Sequence, residues 1–238
     1  MSVRRGPLPP DRPPVLSPGR DSPHAGPVSP RFFSAPSADA SAGSFLARIS
    51  TNPVNAALLE RLPALGLPQG FLTAGCLFQA VWNHRSGQPA GQGVKDYDVF
   101  YFDDRDLSWE AEDAVIRRVA EATRDLRDGM GAVIEVKNQA RVHLWYEQRF
   151  GSPYPRLTSA RDGIGRYLVA CTCIGIEAAT GAVHAPDGFG DLEAGILRMN
   201  PLSGNRHDLF RRKAESYRAR WPWLSIAEPG PKGGPLTP

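Results

Sequence analysis

The stretch KDYDVFYFD, residues 95–103, decides how this chain folds. Side chains alternate between the two faces of a β-strand, so Asp96 and Asp98 are expected on the same face, one pleat apart. The strand beyond them is heavily aromatic, which indicates that its other face packs in a core. We therefore predict a strand within Val94–Phe102 that has one acidic face and one buried face.

Two carboxylates held this close repel each other. Crowding or burying them is costly unless they share a cation, and an oxygen-rich ligand set suits Mg²⁺, or Mn²⁺ in its place. Pairs of this spacing also occur at solvated strand ends, so the pair by itself leaves both interpretations open. The wider context favours a metal site at Asp96 and Asp98.

Upstream of the pair, Phe71–Gly75 is predicted to be a short strand that leads into a helix over Leu77–His84. A glycine at this junction lets backbone N–H groups approach a triphosphate at the helix N-terminus. Gly75, with Cys76 after it, is therefore a candidate for nucleotide binding.

Downstream, Ala132–Lys137 alternates as a second strand that we expect to neighbour the first. Glu135 and Lys137 share one face of it. Glu135 could supply a third carboxylate to the metal and orient an attacking hydroxyl, and Lys137 could neutralise phosphate.

The remaining pattern predicts an α/β (α+β) fold, with a mixed sheet and flanking helices. Further helices are predicted at Asn52–Leu62, Trp109–Leu126 with Gly129 beyond its end, Ala140–Phe150 and Asp208–Arg220; Leu168–Ile176 is predicted to be a strand, with Gly181–Ala185 as its hairpin partner.

Composition limits the domain organisation and the setting. In this chain of 238 residues, segment 1–43 is rich in Pro, Ser, Gly and Arg and is expected to be a disordered leader, 44–228 to form the domain, and 229–238 to be a disordered tail. A net charge of +3 allows anionic partners without demanding them. Three cysteines without framework spacing, and no apolar run of membrane-span length, favour a cytoplasmic protein with no membrane partner.

The order of these residues resembles a known group. Gly75, then Asp96 and Asp98, then an acidic residue on a later strand is similar to the nucleotidyltransferase superfamily related to DNA polymerase β. More closely, the chain resembles an uncharacterised bacterial branch of nucleotidyltransferase family proteins over roughly Leu59–Leu224. Four stretches carry this closer resemblance: Asp96–Asp103, Lys137–Tyr146, Ala185–Gly188 and Trp221–Pro222.

The resemblance implies that Asp96 and Asp98 hold two Mg²⁺ ions and that Glu135 joins the catalytic ion. The implied reaction is in-line attack by an acceptor hydroxyl on the α-phosphate of a nucleoside triphosphate, with loss of pyrophosphate. The chain departs from the superfamily pattern in two ways. Cys76 stands where a serine is usual, and the segment from Gly75 to Asp96 is longer than usual, which puts ordinary cradling of the triphosphate in doubt.

Two sets of polar residues can each be interpreted either as structural or as ligand-binding. Asn138, Arg141 and His143 follow the second strand and could either cap an exposed helical turn or contact phosphate, base and sugar. The C-terminal helix is basic, which indicates either a solvated face or contact with nucleotide phosphates or RNA. Its basic residues are Arg206, Arg211, Arg212, Lys213, Arg218 and Arg220.

The leading hypothesis is therefore a Mg²⁺-dependent transferase that moves a nucleoside monophosphate from a nucleoside triphosphate to a hydroxyl of a small molecule, RNA or protein. A second hypothesis is a non-catalytic nucleotide-binding or regulatory module of the same fold, suggested by Cys76. A third is an RNA-binding protein that uses the C-terminal helix.

Overall fold

The computed structural model describes residues 38–204 and 206–227, which are organised around a five-stranded mixed sheet. The strand order is β3-β2-β1-β4-β5; β2 is parallel to β3, and the other neighbours are antiparallel. The strands are β1 (Phe71–Thr73), β2 (Tyr97–Tyr101), β3 (Ile134–Asn138), β4 (Gly175–Glu177) and β5 (Val183–His184), and β6 (Ile196–Leu197) pairs with β7 (Ser225–Ile226) in a separate ribbon. The predicted mixed sheet with flanking helices is confirmed.

Helices cover this sheet and extend beyond it. In the described ranges they are α1 (Ala38–Ile49), α2 (Pro53–Arg61), α3 (Gly75–Arg85), α4 (Trp109–Ala122), α5 (Arg124–Met130), α6 (Val142–Phe150), α7 (Ala160–Ile164), α8 (Gly190–Ala194) and α9 (His207–Arg220). None of the helices seen there is long and apolar enough to cross a membrane.

The register of the sheet separates an apolar face from an acidic one. Leu72 pairs with Val99, and both are fully buried. The next pair along, Thr73 with Asp98, points to the opposite face, and Asp98 is also in register with Glu135 of β3. The strand alternation predicted for residues 94–102 therefore holds in β2.

An aromatic cluster fixes α9 against α3. Trp82 of α3 lies 4.9 Å from Phe78 and 5.2 Å from both Tyr217 and Trp221, measured between ring centroids. The Trp221 indole N–H also donates to Asn83 Oδ1 at 2.9 Å. Since both indoles are buried, this packing determines where the basic residues of α9 lie relative to the sheet.

Several predicted elements have different bounds in the structure. The helix predicted at Trp109–Leu126 is interrupted at Thr123, whose hydroxyl donates to the Val119 carbonyl four residues earlier. Helix α5 ends at Met130 with Gly131 as its C-cap, so Gly129 lies inside it. The strand prediction for Leu168–Ile176 is wrong over most of its length. A 3₁₀ turn at Ala170–Thr172 separates a single bridge at Val169 from the three-residue β4.

The folded region starts earlier than residue 44. Helix α1 begins at Ala38, inside the predicted leader, and it buries Phe45 and Ile49 completely. Arg48 pairs with the carboxylate of Glu193, with one N–O distance of 2.8 Å. The rest of the predicted leader and the predicted tail lie outside the described residues.

Ala74, between β1 and α3, has a backbone conformation that alanine rarely adopts. Its φ is +65° and its ψ is −141°, a region populated almost entirely by glycine. The Leu77 N–H donates to the Ala74 carbonyl at 3.1 Å and closes the first turn of α3 over this residue. The junction that leads into Gly75 therefore stores backbone strain.

We expect Ala74→Gly to raise the free energy of unfolding by about 1 kcal/mol, because relief of roughly 1 to 3 kcal/mol of strain exceeds the extra backbone entropy of glycine. Chemical denaturation measures the difference. The matched control is Ala114→Gly at an exposed position in the interior of α4, which should lose about 1 kcal/mol. Equal losses in both variants would contradict strain at Ala74.

Candidate active site

A cavity of about 770 Å³ opens on the acidic face of the sheet. Five of the residues predicted to form the site line it together: Gly75, Asp96, Asp98, Glu135 and Lys137. Asp96 lies just before β2 begins, so it reaches the cavity from the connection into the strand, and Asp98 reaches it from the strand itself. Asp98 thus lies on the strand as predicted, whereas Asp96, predicted one pleat earlier on the same strand, lies before it, and both line the cavity together with Gly75.

Asp98 is the most perturbed carboxylate of the cavity. Its side chain is only 15% exposed, and burial is the main cause that raises its pKa to about 6. Repulsion from Asp96 and Glu135 raises the pKa further, while Lys137 opposes the shift. The positive charge of Lys137 therefore compensates the ionised form of Asp98 only in part. A bound cation would stabilise that form further.

Lys137 is the cation nearest to this carboxylate. Its ammonium lies 3.4 Å from Asp98 Oδ1 and 2.5 Å from Glu135 Oε2. Burial disfavours its charge, but the two carboxylates outweigh burial, so the pKa of Lys137 is raised. Lys137 consequently compensates part of the negative charge of Asp98 and of Glu135.

The donor set fits a divalent ion at Asp96 and Asp98, two partly buried carboxylates that supply hard oxygen ligands. Glu135 is placed differently, since its carboxylate is engaged by Lys137. Within the ranges described, no three Asp, Glu, His or Cys side chains converge as a metal-ligand group. Glu135 therefore forms an ion pair with Lys137 and does not converge with Asp96 and Asp98 as a third metal ligand.

The absence of a side chain at Gly75 leaves space for the amide of Gln79. A Cβ at this position would come within 2.5 Å of Gln79 Nε2. The other end of that amide, Gln79 Oε1, accepts a hydrogen bond from Arg220 at 2.9 Å, and Arg220 also donates to the Gly93 carbonyl. The glycine thus leaves room for Gln79 to hold an α9 arginine beside the N-terminus of α3.

One stripe of α9 faces the cavity. Lys213 and Arg220 line it and are seven residues apart, which is two helical turns, so they lie along one side, and Arg206, which precedes the helix as its N-cap, lines the cavity as well. Arg211, Arg212 and Arg218 are exposed and do not line it. The basic residues are therefore divided between the cavity side and the outer side of this segment, and the seven-residue spacing of Arg206, Lys213 and Arg220 was the sequence signal that could have separated them.

Lys213 faces the acidic pair from across the cavity. Its side chain is accessible to solvent. The pKa of Lys213 is nevertheless lowered, mainly because surrounding groups remove part of its hydration and also because Arg220 repels its charge. Asp96 and Asp98 oppose that shift. A cation from the C-terminal helix is thus set opposite the two carboxylates.

Three predicted binding residues lie outside the cavity lining, with other partners. Asn138 caps the turn after β3, because its Oδ1 accepts from Ala140 N at 3.1 Å and its amide holds the backbone of Asp103. Arg141 pairs with the buried Glu112 and donates to the Leu107 carbonyl. His143 Nδ1 is buried without a hydrogen-bond partner. Their placement favours the capping interpretation over contact with nucleotide.

Cys76 is also absent from the cavity lining. Its side chain is completely buried in the main core, and its Sγ donates to the Thr73 carbonyl at 3.2 Å. Burial raises the pKa of the thiol well above its ordinary value. The cysteine that replaces the expected serine therefore acts as a core residue, and the replacement leaves the cavity surface unaltered.

The sequence patterns missed several cavity residues. Tyr167 lies beside Thr73 with 3.1 Å between the hydroxyl oxygens, and because Thr73 already donates to the Ile174 carbonyl, Tyr167 is the donor in this pair. Gln139 is buried against Gly163. Other lining residues that were not predicted to form the site include Lys95, Trp145, Tyr146, Arg149, Phe150, Tyr154 and Arg166. Their residue types gave no sign of a shared site, although Tyr146 and Phe150 are four residues apart on α6.

A mixed sheet with an acidic pair at its centre, a glycine at the adjacent helix start and a basic helix across the cavity defines a nucleotidyltransferase-type domain. A family model described as nucleotidyltransferase matches residues 60–226. The chain belongs to this nucleotidyltransferase family.

The comparison of structures supports the same fold. An NMR structure described as revealing a CCA-adding enzyme head domain is similar to this chain with a TM-score of 0.62 and 23% sequence identity. The similarity covers 79% of this chain and 96% of that chain. No curated protein matches the sequence. At this level of identity the structural likeness establishes the fold.

The raised pKa of Asp98 predicts a pH-dependent stability. The native state holds the Asp98 proton more tightly than the unfolded chain does, so this contribution to stability is complete below the ordinary pKa of 3.8 and is lost as the pH rises through about 6. Asp98→Asn should therefore raise the free energy of unfolding at pH 7 by roughly 2 to 3 kcal/mol. Urea denaturation from pH 4 to 8 tests this, with exposed Asp104→Asn as control. A pH dependence that is identical in all three proteins would contradict it.

The contacts of Arg141 predict a loss of stability without a loss of binding. Arg141→Met leaves the Glu112 carboxylate buried and unpaired, at a cost of about 3 to 5 kcal/mol. The affinity of the folded fraction for a nucleoside triphosphate should stay within about twofold. Thermal unfolding and calorimetric titration measure the two effects, and Glu112→Gln/Arg141→Met should recover part of the stability. Weakened nucleotide affinity at unchanged stability would restore Arg141 as a binding residue.

Proposed function

We propose that this protein transfers a nucleoside monophosphate from a nucleoside triphosphate to a hydroxyl acceptor in a reaction that depends on Mg²⁺ or Mn²⁺. The observation that carries the proposal is the buried Asp98 carboxylate beside Asp96, in a cavity with cations from α9 on its far side. Family membership supports nucleotidyl transfer as the class of reaction.

Asp96 and Asp98 are the residues that would hold the divalent ions. When bound, such ions polarise the phosphate under attack and stabilise the charge on the entering and leaving oxygens. The protein's own part is to present two carboxylates in fixed positions. The cost of burying Asp98 in its ionised form, visible in its raised pKa, is offset when a cation is present.

The triphosphate is assigned to the side of the cavity formed by the N-terminus of α3. Gly75 leaves the helix start open, and Arg220 is held beside it by Gln79 and Gly93. Lys213 lies opposite the carboxylates. Backbone N–H groups at a helix start, together with two cations, form a favourable environment for the β- and γ-phosphates.

Glu135 and Lys137 serve the acceptor side. The acceptor hydroxyl oxygen forms a bond to the α-phosphorus, the bond from that phosphorus to the oxygen bridging to the β-phosphate breaks, and its electron pair leaves with pyrophosphate. The hydroxyl proton passes to Glu135, whose side chain is 43% exposed and exchanges protons with water. Lys137 holds this carboxylate in place and stays between it and Asp98.

The double variant Asp96→Asn/Asp98→Asn should lose transfer activity by at least about a hundredfold, because neutral amides stabilise the reacting charges poorly. The measurement is transfer of label from each α-labelled nucleoside triphosphate in turn to molecules of a cell extract, with Mg²⁺ and with Mn²⁺. Asp103→Asn/Asp104→Asn is the matched control, since it removes two acids that follow β2 and do not line the cavity.

Equal labelling by wild type and the Asp96→Asn/Asp98→Asn variant would reject these carboxylates as the catalytic centre. Nucleotide binding by the wild type with no transfer of label from any triphosphate would reject the enzymatic proposal in favour of a non-catalytic binding module.

Lys213→Met should weaken binding of a nucleoside triphosphate by at least about tenfold, because a charge-assisted contact to phosphate is lost. Binding of the corresponding nucleoside should change by less than twofold. Calorimetric titration of both ligands measures this difference, and Arg212→Met, a change of an exposed neighbour outside the cavity, is the control. Parallel weakening of nucleoside and triphosphate would contradict a phosphate contact.

A further inference from the structure

One end of the cavity is built from aromatic side chains that the reaction described above does not use. We name Trp145, Tyr146, Phe150 and Tyr154 the aromatic wall. We propose that the aromatic wall binds the acceptor, and that the acceptor is the terminal nucleotide of a single-stranded nucleic acid. This inference rests on the proposed function and names its acceptor class.

The stripe of α9 shows where the wall lies along the cavity. Arg220 marks the end beside Gly93 and α3, Lys213 faces Asp96 and Asp98, and Arg206 marks the other end. Lys213 and Arg220 are separated by about 10 Å along the helix axis, and Arg206 lies beyond Lys213 at the N-cap of the helix. Arg206 donates to the Tyr146 hydroxyl at 2.5 Å and lies 5.1 Å and 5.7 Å from the ring centres of Tyr146 and Tyr154. The aromatic wall is therefore at the opposite end from the N-terminus of α3.

The geometry of phosphoryl transfer assigns the two ends. Entering and leaving oxygens lie on opposite sides of the α-phosphorus, roughly in line. If pyrophosphate leaves toward the N-terminus of α3 and Arg220, the acceptor hydroxyl arrives from the side of Arg206. Helix α6, which carries three of the four wall residues, follows β3 after a single turn, and the wall lines the same cavity as Glu135 and Lys137.

The chemistry of the wall suits nucleobases. Tyr146 lies 4.3 Å from Tyr154 and 4.6 Å from Phe150 between ring centroids, with tilts of 35° and 44°. Rings grouped in this way, with arginines among them, form the platform on which bases of single strands stack. Arg206 and Arg149 add positive charge for the adjoining phosphates.

The wall is also open to solvent, as a strand that enters the cavity by its end requires. Phe150 is 55% exposed, and Leu209, which lines the same end, is 43% exposed. A donor base enclosed in the site would need no such opening. A nucleic-acid acceptor places one nucleotide in the cavity and leaves the rest of its chain outside.

The charge balance favours an acceptor that carries phosphate. Among the described residues that line the cavity, seven are Lys or Arg and three are Asp or Glu, and one of the seven, Arg166, is paired with Asp162 outside the lining, which leaves three positive charges in excess. A nucleoside triphosphate with its two metal ions is close to neutral. The excess therefore remains for further anions, and the phosphates of an acceptor strand supply them.

The test measures two ligands separately on the full-length protein. Tyr146→Leu/Phe150→Leu removes two rings of the wall, and Trp109→Leu removes an exposed ring outside the cavity as the matched control. Fluorescence anisotropy gives the affinity for a labelled single-stranded RNA about ten nucleotides long. Calorimetric titration gives the affinity for each nucleoside triphosphate with Mg²⁺.

We expect the wall variant to weaken RNA binding by at least about tenfold and to leave triphosphate binding within about twofold, with no change for the control. Weaker triphosphate binding at unchanged RNA binding would assign the wall to the donor base and overturn the proposal. Absence of RNA binding by the wild type, or equal RNA affinity in wild type and wall variant, would also overturn it.

These outcomes are separate from those that test the proposed function. If label transfer depends on Asp96 and Asp98 but the wall variant binds RNA as tightly as the wild type, only the acceptor class is rejected. RNA binding that needs the wall, without label transfer from any triphosphate, would reject only the enzymatic function.

Discussion

Burial of the Asp98 carboxylate in the middle of the sheet is the constraint on which the site depends. Asp98 lies between Thr73 of β1 and Glu135 of β3, and its backbone is fixed by pairing on both sides. The carboxylate is held facing the cavity, where only 15% of its side chain is exposed, so its charge is compensated largely by the groups that pack above the sheet. This requirement explains why cations are gathered around the cavity.

The cations that interact with the Asp98 carboxylate come from distant parts of the chain. Lys137 comes from the neighbouring strand, and Lys213 comes from α9, whose position is set by the packing of Trp82 and Trp221. A hydrophobic contact between α3 and α9 therefore controls an electrostatic property of the cavity. Strain at Ala74 belongs to the same arrangement, since it accompanies the turn that brings Gly75 to the cavity edge.

The sequence predicted the features that depend on local periodicity. Alternation in residues 94–102 and 132–137 identified β2 and β3, and with them the shared face of Asp98, Glu135 and Lys137. Features that depend on tertiary packing were not predictable in this way. The apolar run 168–176 has the composition of a strand, yet side-chain bonds of Thr172 and the packing around it favour a 3₁₀ turn. Arg141 could be assigned to phosphate or to a structural role until Glu112 was found beside it.

The order of these groups along the chain has a consequence for synthesis. The carboxylates of β2 precede the cations of α9 by more than one hundred residues, so a growing chain exposes its acidic pair well before the balancing arginines and lysine are made. Lys137 stands beside Asp98 as soon as β2 and β3 have paired, whereas Lys213 and Arg220 join the cavity only when α9 has packed on α3. The side of the cavity formed by α9 is therefore the last part of it to be synthesised.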